Sequence, residues 1–240
     1  MTTILQIEAS ARGERSLSRG LSRRLRDAWR SHQPEARILS RDVGRQPPPL
    51  VSEAWIAAAF TPPAERSPEQ EAVLAPSEAL IDEVEAADVI VIATPMYNYG
   101  MPAALKAWFD QVIRVGRTFS FDLARGDWPL EPMLGGKILV VLSSRGEFGF
   151  EPGGVRASMN HLEPHIATCA HYLGAAEHHF ISIDYQEFGD ARHERSVARA
   201  HRAVDELVAQ LAGCAHDPAD AKIGVSGQRL VRHADLEHGA

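Results

Sequence analysis

Residues Val89-Ile90-Val91-Ile92 are β-branched throughout and show no polar alternation. β-branched side chains favour strands, and a strand that is apolar on both faces needs cover on both. An inner strand of a parallel sheet, sandwiched between two helix layers, meets that need. Lys137 to Ser143 repeats the signature. Thr3 to Ala9, the neighbourhood of Ile38-Leu39, and His178 to Ile183 supply three more strand candidates. Between them lie segments of helical periodicity. Ser16 to Arg30 places Leu17, Leu21, Leu25, Ala28 and Trp29 on one face. Val73 to Ala87, Val155 to Leu173 and Ala191 to Leu211 read as helices, as does Pro102 to Val115 with proline in its first turn. Arg45 to Leu50, with three prolines, reads as loop.

Strands alternating with helices imply right-handed βαβ units. The expected class is therefore α/β, a doubly wound five-stranded parallel sheet with helices on both faces, in a flavodoxin-like order. One domain over residues 1–212 is expected, followed by a C-terminal tail at 213–240 where the pattern decays. Of 240 residues, 45% are hydrophobic and 24% charged, which excludes general disorder. A formal net charge of −7 argues against nucleic acid or an anionic membrane as partner, because both require a basic footprint. Apolar runs such as Val89 to Ala93 are far shorter than the roughly 20 residues that span a bilayer. The chain enters its first strand with no leader-like segment, so a soluble, cytoplasmic enzyme is expected.

In such sheets ligands sit beyond the carboxyl ends of the strands, so the loops there carry the functional reading. After the first strand, Ser10-Ala11-Arg12-Gly13-Glu14-Arg15-Ser16-Leu17-Ser18 brings hydroxyls and two arginines to a helix N-terminus. Free N–H groups and the helix dipole there favour a phosphate. The alternative is that Ser16 or Ser18 merely caps the helix. After the third strand come Met96-Tyr97-Asn98-Tyr99. Aromatic faces and a thioether suit a flat aromatic ligand, although such a loop can also pack under neighbouring helices. After the fourth strand, Ser144-Arg145-Gly146-Glu147 allows close backbone approach. A phosphate loop beside an aromatic loop points to a phosphorylated aromatic cofactor, and flavin mononucleotide (FMN) has that order.

Competing motifs fare poorly. Gly-x-Gly-x-x-Gly does not follow the first strand, and no Gly-x-x-x-x-Gly-Lys-Ser/Thr occurs. His161 and His165 are spaced i, i+4, but Pro164 disturbs the helix that chelation would need, so no metal site is expected.

Pro95-Met96-Tyr97-Asn98-Tyr99, the preceding apolar strand, and Pro102-x-x-Leu105-Lys106-x-Trp108-Phe109-Asp110 resemble the FMN-dependent NADH:quinone oxidoreductases and azoreductases. The spaced serines Ser10, Ser16 and Ser18 and the Ser144-Arg145-Gly146 loop resemble the same family, over roughly Thr3 to Leu211. The resemblance implies that Ser10, Ser16, Leu17 and Ser18 hold the FMN phosphate. It implies that Met96, Tyr97, Asn98 and Tyr99 cover and edge-bond the ring, and that Ser144, Arg145, Gly146 and Glu147 border its pyrimidine side. It further implies one FMN per subunit, NADH or NADPH as co-substrate, quinones and azo dyes as acceptors, ping-pong exchange, and a homodimer. The rivals within the fold are an electron-carrier flavodoxin and an FAD-binding quinone reductase. Glu147 departs from the family, which has glycine there.

Overall fold

The computed structural model describes residues 1–214. Its main sheet holds β1 (Thr3–Glu8), β2 (Arg37–Asp42), β3 (Val89–Pro95), β6 (Lys137–Ser144) and β7 (Ala175–Ile183). A separate two-stranded antiparallel hairpin holds β4 (Phe119–Phe121) and β5 (Leu130–Pro132). The main sheet is parallel throughout, in the order β2-β1-β3-β6-β7. The chain reverses its direction of travel across the sheet between β1 and β3, which opens a crevice at their carboxyl ends.

β3 sits at the centre and all of its residues are buried. Its side chains alternate between two cores. Ile90 and Ile92 join a cluster built with α3 (Pro68–Ala86), α4 (Ala103–Val112) and α5 (Glu163–His171). Val89, Val91 and Ala93 join a cluster on the other face, built with α1 (Leu17–His32) and α6 (Ala191–Cys214). The unbroken β-branched run is thus explained: both faces are covered, so neither face calls for polar residues.

The remaining helix, α2 (Glu53–Phe60), is absent from the sequence-based reading. Its sequence Ala54-Trp55-Ile56-Ala57-Ala58-Ala59-Phe60 carries no polar face and so no amphipathic signal. Trp55 and Ala58 pack inward, and the Trp55 indole donates to Gln111 Oε1 at 2.9 Å.

A second difference is the helix expected over Val155 to Leu173. Only Glu163–His171 is α-helical, preceded by a single turn of 3-10 helix at Ala157–Met159. Pro164 has no N–H to donate and a fixed φ, so it fits the first turn of a helix and not the interior. Asn160 ends the preceding segment, its Oδ1 accepting from the N–H groups of Leu162 and Glu163 at 3.1 and 3.4 Å. Of the expected tail, residues 215–240 lie outside the described residues.

Candidate functional site

The loops beyond β1, β3, β6 and β7 meet around a cavity of about 210 Å³. Ser10, Ser16, Leu17, Met96, Tyr97, Ser144 and Gly146 line it, with Arg12 and Arg15 at the side of the α1 N-terminus. Backbone pairing fixes the loops to one another: Met96 N–H donates to Ser144 O at 2.9 Å, and Arg145 N–H donates to Ile183 O at 2.8 Å.

At the α1 end, Ser16 is the N-cap and its Oγ accepts from Arg19 N–H at 3.4 Å. Its hydroxyl also lies 3.2 Å from that of Ser18, which is fully buried. Ser16 thus caps the helix and also lines the cavity, whereas Ser18 is not among the lining residues. The first turn of α1 contains no acidic residue. A helix start with free N–H groups and no nearby carboxylate on the same turn accepts an anion.

The position of this loop is set from behind by Arg19. Its guanidinium is 4% exposed and makes ion pairs with Glu8 and with Asp42, at 2.7 Å for the latter. Nη2 also donates to Ser10 O at 2.7 Å. One side chain thereby ties β1, β2, α1 and the first loop together. Burial works to raise the Asp42 carboxyl, but the hydrogen bonds and charge of Arg19 prevail and hold it below the usual carboxylate range. Gly44 completes the support: a Cβ there would lie 2.3 Å from Ser10 O, so only glycine lets the chain after β2 run so close.

The loop after β3 is a tight turn. Tyr97 and Gly100 exchange both backbone hydrogen bonds at 3.0 Å, and Asn98 and Tyr99 have φ of 48° and 65°. Two residues with positive φ between such a pair are the signature of a type I′ turn. The turn sets the two tyrosine rings at the surface, 39% and 40% exposed, with Met96 packed on the core beneath. Asn98 and Tyr99 are not among the residues lining the 210 Å³ cavity.

The loop after β6 divides between two faces. Ser144 and Gly146 line the cavity, but Arg145 turns the other way, into a buried ion pair with Glu163 and to 3.5 Å from Asp184. Its backbone stays beside the cavity; its charge does not reach it. Burial raises the Asp184 carboxyl above its usual range, against the opposing charges of Arg145 and Arg199. Glu147 pairs with Arg156 at 3.1 Å, and its Oε2 lies 3.4 Å from the Tyr99 hydroxyl.

Gln186 and Glu187 also line the cavity and were not anticipated. They follow β7, and the signal available was positional: a fifth parallel strand must deliver its own loop to the same edge. Their N–H groups donate to the carbonyls of Arg145 and Gly146 at 3.2 and 3.1 Å. A Cβ at Gly146 would lie 2.7 Å from Glu187 Cγ, so the exposed Glu187 side chain would have to shift to admit one.

A family model described as "Flavodoxin-like fold" matches residues 2–208. A Colwellia psychrerythraea protein named FMN-dependent NADH:quinone oxidoreductase 2 is 52% identical over 218 residues, covering 88% of this chain and all of that one. A Pseudomonas aeruginosa protein named FMN-dependent NAD(P)H:quinone oxidoreductase 1 is 43% identical, covering 85% of this chain and 97% of that one. Among solved structures, an azoreductase from Bacillus anthracis superposes with a TM-score of 0.78 at 20% identity, covering 88% of this chain and 100% of that one. At that identity the likeness speaks to the fold.

Proposed function

The chain belongs to the flavodoxin-like family, and on that premise we propose that it is an FMN-dependent oxidoreductase that reduces quinones and aromatic azo compounds with electrons from NADH or NADPH. The observation that carries this reading is the meeting, in one crevice, of an anion-accepting helix start, an aromatic turn and a close-approach glycine loop. The residues fit FMN: the Ser10 and Ser16 hydroxyls for a phosphate, the exposed Tyr97 ring for a flat ring system, and a position without Cβ at Gly146 in the loop after β6.

Ser10, Ser16, Leu17 and Ser18 would hold the phosphate through hydroxyl and backbone donors, with Arg12 and Arg15 adding charge. Met96, Tyr97, Asn98 and Tyr99 would cover and edge-bond the ring. Ser144, Gly146 and the Arg145 backbone would border its pyrimidine side, with Glu147 at the rim. Such a cofactor supplies hydride acceptance from a nicotinamide and two-electron delivery to the acceptor. The protein's task is then to orient both substrates in turn on one face, and no side chain is needed as acid or base if water supplies the protons. The test is to purify the protein and release its chromophore. The expected result is FMN, together with NADH oxidation that depends on added benzoquinone; a colourless protein without that activity would refute the reading.

We also place the active form in a cytoplasmic homodimer. Among the described residues no helix is long and apolar enough to cross a membrane. Exposed apolar residues gather on the hairpin and α2, with Trp128 84%, Leu123 74% and Phe60 72% exposed. Groupings of this kind mark interaction surfaces. Sedimentation of the active protein is expected to give twice the chain mass; a fully active monomer would remove this part of the proposal.

Glu147 is expected to govern acceptor choice. Glu147→Gly removes a carboxylate at the rim and leaves Arg156 without its partner, so the local charge rises by one. The ratio of kcat/KM for a sulfonated azo dye to that for benzoquinone should rise about 2–5-fold at low salt, the scale of an exposed ion pair. The gain should fade as the Debye length shrinks. A ratio unchanged at low salt would leave Glu147 without a role in selection.

A further inference from the structure

Arg145 sits between two residues of the first cavity but lines a second one, of about 460 Å³, together with Phe150, Phe180, Glu163 and Ala167. Nothing in the reading above uses that space. Its volume falls within the range of small-molecule sites. Its lining is mainly apolar, with an ionic group at one side: Arg145 is 6% and Glu163 7% exposed. Ser143 Oγ and Arg145 Nη2 both donate to Glu163 Oε1. Its other carboxylate oxygen, Oε2, is buried without a hydrogen-bond partner among the described residues. A buried acceptor left in that state is unfavourable, and a donor brought in by a ligand would relieve it.

The charge balance limits what can enter. The Arg145 guanidinium already faces both Glu163 and Asp184, and Glu151 adds a further carboxylate to the lining. An anion would meet more acid than base. Phe180, 44% exposed, offers ring surface instead, while the Phe150 ring is buried beneath the Arg145 guanidinium at 5.4 Å and closes the cavity on that side. We propose that this cavity binds a small uncharged aromatic molecule carrying a hydroxyl or amino donor, with its ring against Phe180 and its donor toward Glu163. Hydroquinones and aromatic amines have this chemistry, so the products of the proposed reaction would fit. That last identification alone rests on the proposed function. Phe150 also lies 6.3 Å from the Tyr99 ring, so an occupant would touch a residue that supports the aromatic turn.

The test is a fluorine NMR titration of the oxidised, flavin-loaded protein with 4-fluorophenol, which requires no turnover. Saturable binding is expected, with 4-fluoroanisole, which lacks the donor, and 4-fluorobenzoate each at least about tenfold weaker. Ala167→Phe should fill the cavity and abolish that binding while flavin content stays the same. Ala157→Phe, from a different lining segment, should do likewise, and serves if the first variant does not fold. Undiminished 4-fluorophenol binding in a folded variant, or equal binding of the benzoate, would overturn the proposal. A wild-type protein that binds 4-fluorophenol in this way yet reduces no quinone would support the site and remove only its identification with reaction products.

Discussion

Arg19→Ala is expected to destabilise the protein by about 3 kcal/mol and to loosen the flavin with it. The substitution removes a buried guanidinium and leaves Glu8 facing Asp42, whose remaining cation is Arg45 at 3.8 Å. Because both carboxylates keep some contact with water, the lower end of the range for a broken buried pair applies. Ser10 O loses its donor in the same step, so the first loop is released from the sheet. Urea unfolding measures the first effect, and flavin fluorescence measures the second at temperatures where the variant is folded. Arg19→Lys keeps the charge but cannot reproduce the paired bonds to Asp42, and should fall between wild type and alanine. Wild-type stability in the alanine variant would show that Arg19 supports nothing. The dependence on pH follows from Asp42. Its folded carboxyl is held low, so its contribution is full above the ordinary carboxylate range and is lost as pH falls through the depressed folded value. Acid should therefore narrow the gap between wild type and Arg19→Ala.

The double substitution Ser16→Ala with Ser18→Ala should weaken FMN binding by at least about 100-fold. Two hydrogen bonds to a charged phosphate are worth about 1.5–3 kcal/mol each before water compensates. Ser16 is also the α1 N-cap, and losing a cap costs about 1 kcal/mol of stability. The two effects separate experimentally: fluorescence titration reads flavin affinity, and thermal unfolding of the apoprotein reads the cap. Ser18→Ala alone keeps the cap bond from Arg19 N–H to Ser16 Oγ and removes the hydroxyl 3.2 Å from it, so its loss of affinity reads how far that serine pair serves the phosphate. Full flavin affinity in the double variant would place the phosphate elsewhere.

These expectations divide into what the sequence made legible and what it did not. β3 and β6 were readable because burial on both faces removes polar residues from the chain, and composition then reports the environment. α1 was readable for the opposite reason, since one wet face leaves a periodic signal. α2 has neither mark. In the candidate site, Ser10, Ser16, Met96 and Tyr97 were legible as cavity-lining positions because each lies in the loop just beyond a strand end, whereas Ser18, Asn98 and Tyr99 are not among the lining residues. Arg145 shows the limit of that reasoning: in an extended run adjacent residues point to opposite faces, so a contiguous motif need not form one contact surface. Arg19 carries no such mark in the sequence, because an arginine in an amphipathic helix ordinarily lies in water. Only the register of β1 beside β2, which brings Glu8 opposite Asp42, gives it a reason to be buried.

The turn at Asn98 and Tyr99 has a consequence for kinetics. A left-handed conformation is unfavourable for residues with a Cβ, by roughly 1–2 kcal/mol each, and the cost is met by the surrounding fold and not by any ligand. Two mutual bonds close the turn, and a third runs from His161 N–H to Tyr99 O at 3.0 Å. The aromatic platform is therefore already shaped before anything arrives. Capture of a flat ring should follow second-order kinetics in a single phase, with no slow rearrangement after encounter, and most of the difference between tight and weak ligands should reside in how fast they leave.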